Sequence, residues 1–327
     1  MPAHPIARSA ALVMLVAACA LLAAEFAFRL GMWERLAKPE SNAGQAIALK
    51  RALIGRGAAR VDFITLGDSR AVYGLDHDRI AKSAQAGGHV HLNLSLPGMH
   101  WMSTETIFRW LKGQDMKPKG VLLATNIANF QFVGNGAYEM GIAAPFAAPW
   151  DSDWMAAGIP FERKQLATYS PYSSLFTYRE DVQDFAAHPW TRLRESARQS
   201  RKPFPPNLLT RSVRETSNVC SLPVHSLVAC SEAKAGNPRE ETNVAQCRDL
   251  RTQAASRMDY RQTDGKQRLP HLAELARVRR EQLEGMKTDR PVIVVLTPVL
   301  KAWREQLLPV GLEDWVREVL DPLQAWW

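Results

Sequence analysis

Three short β-prone runs, each closed by a strand-ending residue and alternating with helix-forming chain, constrain this sequence more than any other feature. The first, Val61-Asp62-Phe63-Ile64-Thr65-Leu66, ends at Gly67. Residues 76–86 have helix character, opened by Asp76 as a cap and closed by Gly87 and Gly88, and His91-Leu92-Asn93-Leu94-Ser95-Leu96 then stops at Pro97-Gly98. Residues 103–112 read as helix again, and Val121-Leu122-Leu123-Ala124-Thr125 ends at Asn126. Strands alternating with helices at this spacing predict a parallel sheet with helices on its faces. After residue 129 the rhythm is lost in a stretch rich in Pro, aromatic residues and Arg. It resumes with a charged amphipathic helix over residues 271–286 (Leu272, Leu275, Val278, Leu283) and with Pro291-Val292-Ile293-Val294-Val295-Leu296, the strongest buried-strand run in the chain. The expected architecture is one α/β domain, residues 59–129 and 268–327, interrupted by an insertion over residues 130–267.

A different pattern precedes it. Residues 10–24 are uninterruptedly apolar, and the run continues past Glu25 through Phe26, Ala27 and Phe28. A bilayer span takes about 20 residues, a length reached here when Glu25 lies near a headgroup boundary. The favoured reading is an uncleaved anchor over residues 1–32. A cleaved signal peptide is one alternative, and a lipoprotein is another, because Val16-Ala17-Ala18-Cys19 resembles a lipobox with Cys19 as the lipidated residue. Ala20 to Ala24 stay apolar after that cysteine, which counts against lipidation. All three readings put the body across the membrane. Orientation is not fixed by charge, since Arg8 and the amino terminus stand on one side and Arg29, Arg35 and Lys38 on the other. Residues 33–58 read as a stalk or linker, with Ile47, Leu49, Leu53 and Ile54 at near-helical spacing. Of the 4 cysteines, Cys220, Cys230 and Cys247 lie together; two could pair in an oxidising compartment, or all could be buried thiols.

With 327 residues and 46% hydrophobic content, disordered, collagenous and disulfide-framework classes are excluded. The formal charge of +8 would suggest nucleic acid only as a distributed basic face. Instead it concentrates in residues 190–216, with Arg192, Arg194, Arg198, Arg201, Lys202, Arg211 and Arg214 against Glu195 and Glu215. Nucleic-acid binding is therefore not expected. A solvated face is the favoured reading of that lobe, and a grip on anionic glycans or lipid headgroups is the other. Trp150, Trp154, Tyr169, Tyr172, Tyr178 and Trp190 fill the insertion's core or stack on sugar rings.

In an open parallel sheet, ligands bind beyond the carboxyl ends of the strands, and three of those ends are informative. Gly67-Asp68-Ser69-Arg70 is a tight turn that could present the Ser69 hydroxyl and backbone N–H outside the sheet. In Asn93-Leu94-Ser95-Leu96-Pro97-Gly98, the glycine lets a backbone N–H approach an oxyanion closely. Asn126 can donate a side-chain amide to the same point. Read singly, each is an ordinary turn or strand cap; in combination they sketch a nucleophile with an oxyanion hole.

With these residues in this order the sequence resembles the SGNH, or GDSL-type, hydrolase superfamily, in which a Gly-Asp-Ser turn, a Gly and an Asn follow the first three strands. The likeness covers residues 59–129 and, by strand pattern alone, 268–327. It implies a flavodoxin-like three-layer parallel sheet, Ser69 as nucleophile, and an oxyanion hole of the Ser69 N–H, the Gly98 N–H and Asn126, with Gly67, Asp68 and Arg70 supporting the turn. Arg70 stands where leucine is usual, as in membrane-anchored members that act in polysaccharide acylation, whose anchors carry an acidic residue and an arginine similar to Glu25 and Arg29. Asn126 lies in Ala-Thr-Asn-Ile-Ala-Asn rather than Gly-x-Asn-Asp, and Asn129 is the fallback.

The resemblance also implies a base from an Asp-x-x-His after the last strand, and none occurs in this chain. Asp184 and His188 miss that spacing by one, and His100, two residues past Gly98, is the only histidine near the expected pocket. The expectation from strand count is that the chain stops short of its catalytic histidine, after a helical stretch over residues 313–323. Neither a metal signature nor a cofactor motif is present. The expected function is acyl, most readily acetyl, transfer or ester hydrolysis on an envelope or secreted polysaccharide, with a membrane-bound acyl donor as partner, at a bacterial inner membrane with the globular part in the periplasm. The alternative is a non-catalytic glycan-binding or scaffold subunit.

Overall fold

The computed structural model describes residues 5–38, 41–56, 61–127, 136–148, 173–199, 227–249 apart from 239, 243 and 246, 252, 269–290, 292–296, 316–317 and 319–321. The chain divides into two compact units, one of residues 1–58, 102–110 and 135–208 and one of residues 59–101, 111–134 and 209–327. The insertion read from the sequence is thus shared between them: its first half belongs with the N-terminal segment, its second half with the sheet.

The sheet unit holds four parallel strands among the described residues: β1 (Phe63–Gly67), β2 (His91–Asn93), β3 (Gly120–Thr125) and β4 (Ile293–Leu296), in the order β2-β1-β3-β4. Every residue from Ile64 to Gly67 is buried, as expected of a strand covered on both faces. β2 is shorter than its apolar run, yet the run keeps to β1: Leu94 N–H donates to Thr65 O at 2.8 Å and Leu96 N–H to Gly67 O at 3.0 Å. Pro97 then ends the pairing, because it has no N–H to offer.

Short helices α3 (Ser69–Gly74) and α4 (His77–Ala86) link β1 to β2. Asp76 caps α4 by accepting Arg79 N–H at 3.0 Å. α5 (Trp101–Gly113) precedes β3. At the amino ends of the strands, buried Asp62 accepts Val90 N–H and the Lys119 ammonium, both at 3.0 Å, while its carbonyl accepts the Lys119 and Gly120 N–H groups. One carboxylate thereby fixes the start of three strands, and sheet register follows.

In the other unit, α1 (Pro5–Arg29) is a helix long and apolar enough to cross a membrane. Its residues 9–23 are exposed, and burial begins at Ala24. A 3-10 turn (Met32–Arg35) and α2 (Asn42–Arg56) follow, then α6 (Gly136–Ala143), α7 (Ser174–Thr177), α8 (Arg179–Ala187) and α9 (Pro189–Gln199). Residues 33–58 are more than a spacer, since Trp33, Ala46, Ile47, Leu49 and Leu53 are buried. Phe28, Trp33, Ala37, Ala43, Ile47 and Tyr178 form one apolar cluster, in which the Trp33 and Tyr178 rings stack with centroids 4.5 Å apart.

Long-range polar contacts close this cluster. The Glu25 carboxylate accepts the Ser173 hydroxyl at 2.9 Å, Ser174 N–H at 2.6 Å and Leu175 N–H at 3.1 Å, and pairs with Arg29 at 2.9 Å. An acidic group at the start of α7 meets N–H groups that have no partner within the helix. Lys38 N–H donates to Asp181 at 2.7 Å, and the Ser196 hydroxyl donates to Arg35 O at 2.9 Å.

In the sheet unit, α10 (Leu227–Glu232) and α11 (Leu269–Gly285) complete the described helices that have defined bounds. Cys247 is disulfide-bonded. The 313–315 start of the expected last helix, Trp150, Trp154, Tyr169, Tyr172, Cys220 and Asn129 all lie outside the described residues.

Candidate active site

The order of the sheet reverses between β1 and β3, since the chain runs from β1 to β2 on one side and then to β3 on the other. Such a reversal leaves a crevice beyond the carboxyl ends of the two central strands. The register brings the three sequence-derived turns to that end of the sheet. Gly67 pairs with Ala124, and Gly67 O accepts Leu96 N–H. Ser69 and Asn126 each stand two residues beyond the Gly67–Ala124 pair, and Gly98 stands two residues beyond Leu96, which lies one position past the residue opposite Gly67. Their strands deliver all three to the same edge of the sheet.

The local chemistry of each turn follows from its residues. A Cβ on Gly67 would overlap the Ala124 carbonyl oxygen and stand 2.6 Å from the Ala71 methyl, so only glycine lets β1 and β3 approach while α3 turns back over them. Asp68 is extended and buried; its carboxylate accepts Arg70 N–H at 2.8 Å and pairs with the Arg70 guanidinium at 3.1 Å. That double contact caps α3, fixing the backbone on either side of Ser69, which is half-buried at the first helical position. At the second turn, Met99 N–H donates to Leu96 O at 3.0 Å across Pro97 and Gly98, and Gly98 has φ +81°. Proline followed by a left-handed glycine is the sequence that a type II turn requires. Asn126 is fully buried at the end of β3.

His100 joins this group. Burial pulls its pKa below 6.5; the Asp68 carboxylate opposes that shift, and the Arg70 and Arg279 guanidiniums add to it. The ring is therefore neutral at pH 7 and shares its surroundings with the Ser69 turn. Asp184 and His188, the near miss in spacing, lie in α8 and at its end in the other unit.

Arg279 was not singled out from the sequence. It is 1% exposed on α11, its guanidinium carbon 4.6 Å from the centre of the Trp101 ring, and it donates to Gln282 at 2.6 Å. The signal was present: Ala276, Arg279, Leu283 and Met286 are all buried, so the arginine occupies a core position of the helical period. Two other histidines serve the fold. His77 donates from Nε2 to Ala71 O at 2.8 Å, and His91 Nε2 lies 2.7 Å from the Thr65 hydroxyl; the two rings are near-parallel at 6.4 Å. Burial, with a contribution from His77, brings the His91 pKa down to about 4.

Chemically, the edge offers a hydroxyl on a fixed turn, two backbone N–H groups on glycine-permitted geometry, a buried carboxamide and a neutral imidazole. That set suits attack on an acyl carbonyl and stabilisation of the resulting oxyanion. Compared with family models, curated proteins and solved structures, the chain matches none.

Proposed function

We propose that the chain is a membrane-anchored, extracytoplasmic SGNH-like acyltransferase or esterase, with a flavodoxin-like sheet, that moves an acetyl or similar acyl group on an envelope or secreted polysaccharide. The observation that supports this reading is that Ser69, Gly98 and Asn126 all follow within three residues of one level of the sheet, set by the Gly67–Ala124 pairing and the Leu96–Gly67 hydrogen bond. Ser69 Oγ attacks the acyl carbonyl carbon as its proton passes to a base, and the tetrahedral oxyanion is held by the Ser69 and Gly98 N–H groups and the Asn126 amide. Collapse expels the donor alcohol, which takes up the proton and leaves an ester on Ser69. A sugar hydroxyl or water then attacks that ester, its proton going to the base, and Ser69 is regenerated. His100, two residues past Gly98 and close enough to feel the charges of Asp68 and Arg70 on either side of Ser69, is the imidazole assigned to the proton.

A membrane-bound acyl donor is the expected partner, and the disulfide at Cys247 favours an oxidising compartment such as the periplasm. The test measures acyl transfer to an oligosaccharide and release of free acid by the wild type and by Ser69→Ala. Loss of at least about a thousandfold in either assay supports the reading; equal rates for the two proteins refute it. Glycan binding that survives Ser69→Ala without any turnover would mark the non-catalytic scaffold instead.

A further inference from the structure

α9 presents a surface that the proposed reaction does not use. Arg192 is its inward residue, 6% exposed and ion-paired with Asp184 and with Glu195. At 100° per residue, Leu193, Ala197 and Trp190 then fall within a sector of about 60° on the outward face, and Arg194 and Arg198 border that sector on one side. All five are exposed, Trp190 at 78% and Leu193 at 46%. An apolar stripe led by tryptophan and edged by two arginines is the pattern of a helix lying in a lipid–water interface, where the indole sits at headgroup level and the guanidiniums meet phosphates.

Contacts within the same unit carry α9 to the place where the apolar helix ends. The Ser196 hydroxyl bonds to Arg35 O, and Asp184, the partner of Arg192, lies 4.0 Å from the Lys38 ammonium. Arg35 and Lys38 stand six and nine residues past the end of α1. The exposed apolar part of α1 gives way to burial at Ala24, and residues 5–24 rise about 30 Å, the thickness of a hydrocarbon core. Beyond it, Leu30 and Met32 remain exposed at 64% and 51%.

We propose that α9 docks on the bilayer beside the end of α1, with Trp190 and Leu193 in the interface and Arg194 and Arg198 on the phosphates of anionic lipids. The inference rests on α1 crossing that bilayer. α9 and α1 then hold the first unit at two points, so that this unit rests on the membrane instead of swinging from a single helix.

The test uses the full chain in vesicles of phosphatidylcholine with about 30% phosphatidylglycerol, a composition that supplies anionic phosphates. Trp190 emission is isolated as the difference between wild type and Trp190→Phe. Lipids brominated near the headgroup should quench that difference roughly twofold or more, soluble iodide should leave it, and Arg194→Glu/Arg198→Glu should reverse both results. If carbonate leaves the protein in the membrane while iodide quenches Trp190 and brominated lipid does not, the inference is overturned and the anchor stands. Protection from both quenchers would mean that a second copy of the chain covers α9, which also overturns it. Extraction by carbonate would overturn the anchor and the inference together.

Discussion

The turn that presents Ser69 and the cluster that receives the end of α1 are both organised by carboxylates, but over very different lengths of chain. At the sheet edge the bonds are short-range: Asp68 reaches Arg70, Asn93 reaches Ser95 and Asp76 reaches Arg79, separations of 2, 2 and 3 residues. In the other unit Glu25 reaches partners 148, 149 and 150 residues away, and Lys38 meets Asp181 across 143. Short-range bonds set the conformation of a turn before the rest of the unit is in place. Long-range bonds form only when distant segments have already packed, so they stabilise an assembly and cannot direct it. The Ser69 turn is thus mounted on locally determined backbone, and the end of α1 on cooperative packing.

Substitutions can break that contrast from either side. Gly67→Ala strikes the local side hardest, because the new Cβ meets backbone at Ala124 that cannot move alone. We expect a loss of about 3 kcal/mol in urea unfolding followed by sheet-sensitive circular dichroism. A change under about 1 kcal/mol would mean that β1 and β3 need no glycine.

Glu25→Ala strikes the distant side, leaving the Ser174 and Leu175 N–H groups without their acceptor. A cost of about 2 kcal/mol is expected, with faster hydrogen exchange at those two amides and no change at Leu94 and Leu96. Unchanged exchange at Ser174 and Leu175 would show that α7 is held by packing alone.

Acidification tests the sheet unit again. Unfolded His91 takes up a proton near pH 6.5, whereas the folded ring resists until about 4, so stability falls as pH drops through that window, by about 1–2 kcal/mol for a group still partly reached by solvent. His91→Gln should flatten the slope of stability between pH 6.5 and 4; an unaltered slope assigns it to other groups. The smallest effect belongs to the cap: Asp76→Ala should cost about 1 kcal/mol, and Asp76→Asn should recover most of it in the same unfolding assay.

The same contrast in range explains what could be read from the sequence. β4 lies inside its apolar run, β1 and β3 each reach one glycine beyond theirs, and the caps Asp68 and Asp76 and the Pro97-Gly98 turn are visible as local residue choices. So were Ser69, Gly98 and Asn126, because a parallel sheet turns sequence order into position. Glu25 reads as an acidic residue near a headgroup boundary, and nothing near it in sequence hints at Ser173. The split of the insertion between two units was hidden for the same reason: it depends on the stacking of Tyr178 on Trp33 and on Asp181 meeting Lys38. Arg279 was legible in principle, as a cation on the apolar face of α11, but its place over Trp101 depends on how that helix packs. Arg192 read as part of a basic lobe and is instead a buried, ion-paired residue, with Arg194 and Arg198 alone exposed among the described arginines of that stretch.

The central claim is that Ser69 is a nucleophile served by Gly98 and Asn126. Its most direct measurement is covalent labelling of the full chain in detergent by a fluorophosphonate, read by peptide mass. The account predicts one adduct, on Ser69, absent in Ser69→Ala and formed about a hundredfold more slowly in Asn126→Ala, where one oxyanion donor is gone. A folded wild-type protein that leaves Ser69 unmodified, or labels it as fast without Asn126 as with it, would contradict the account.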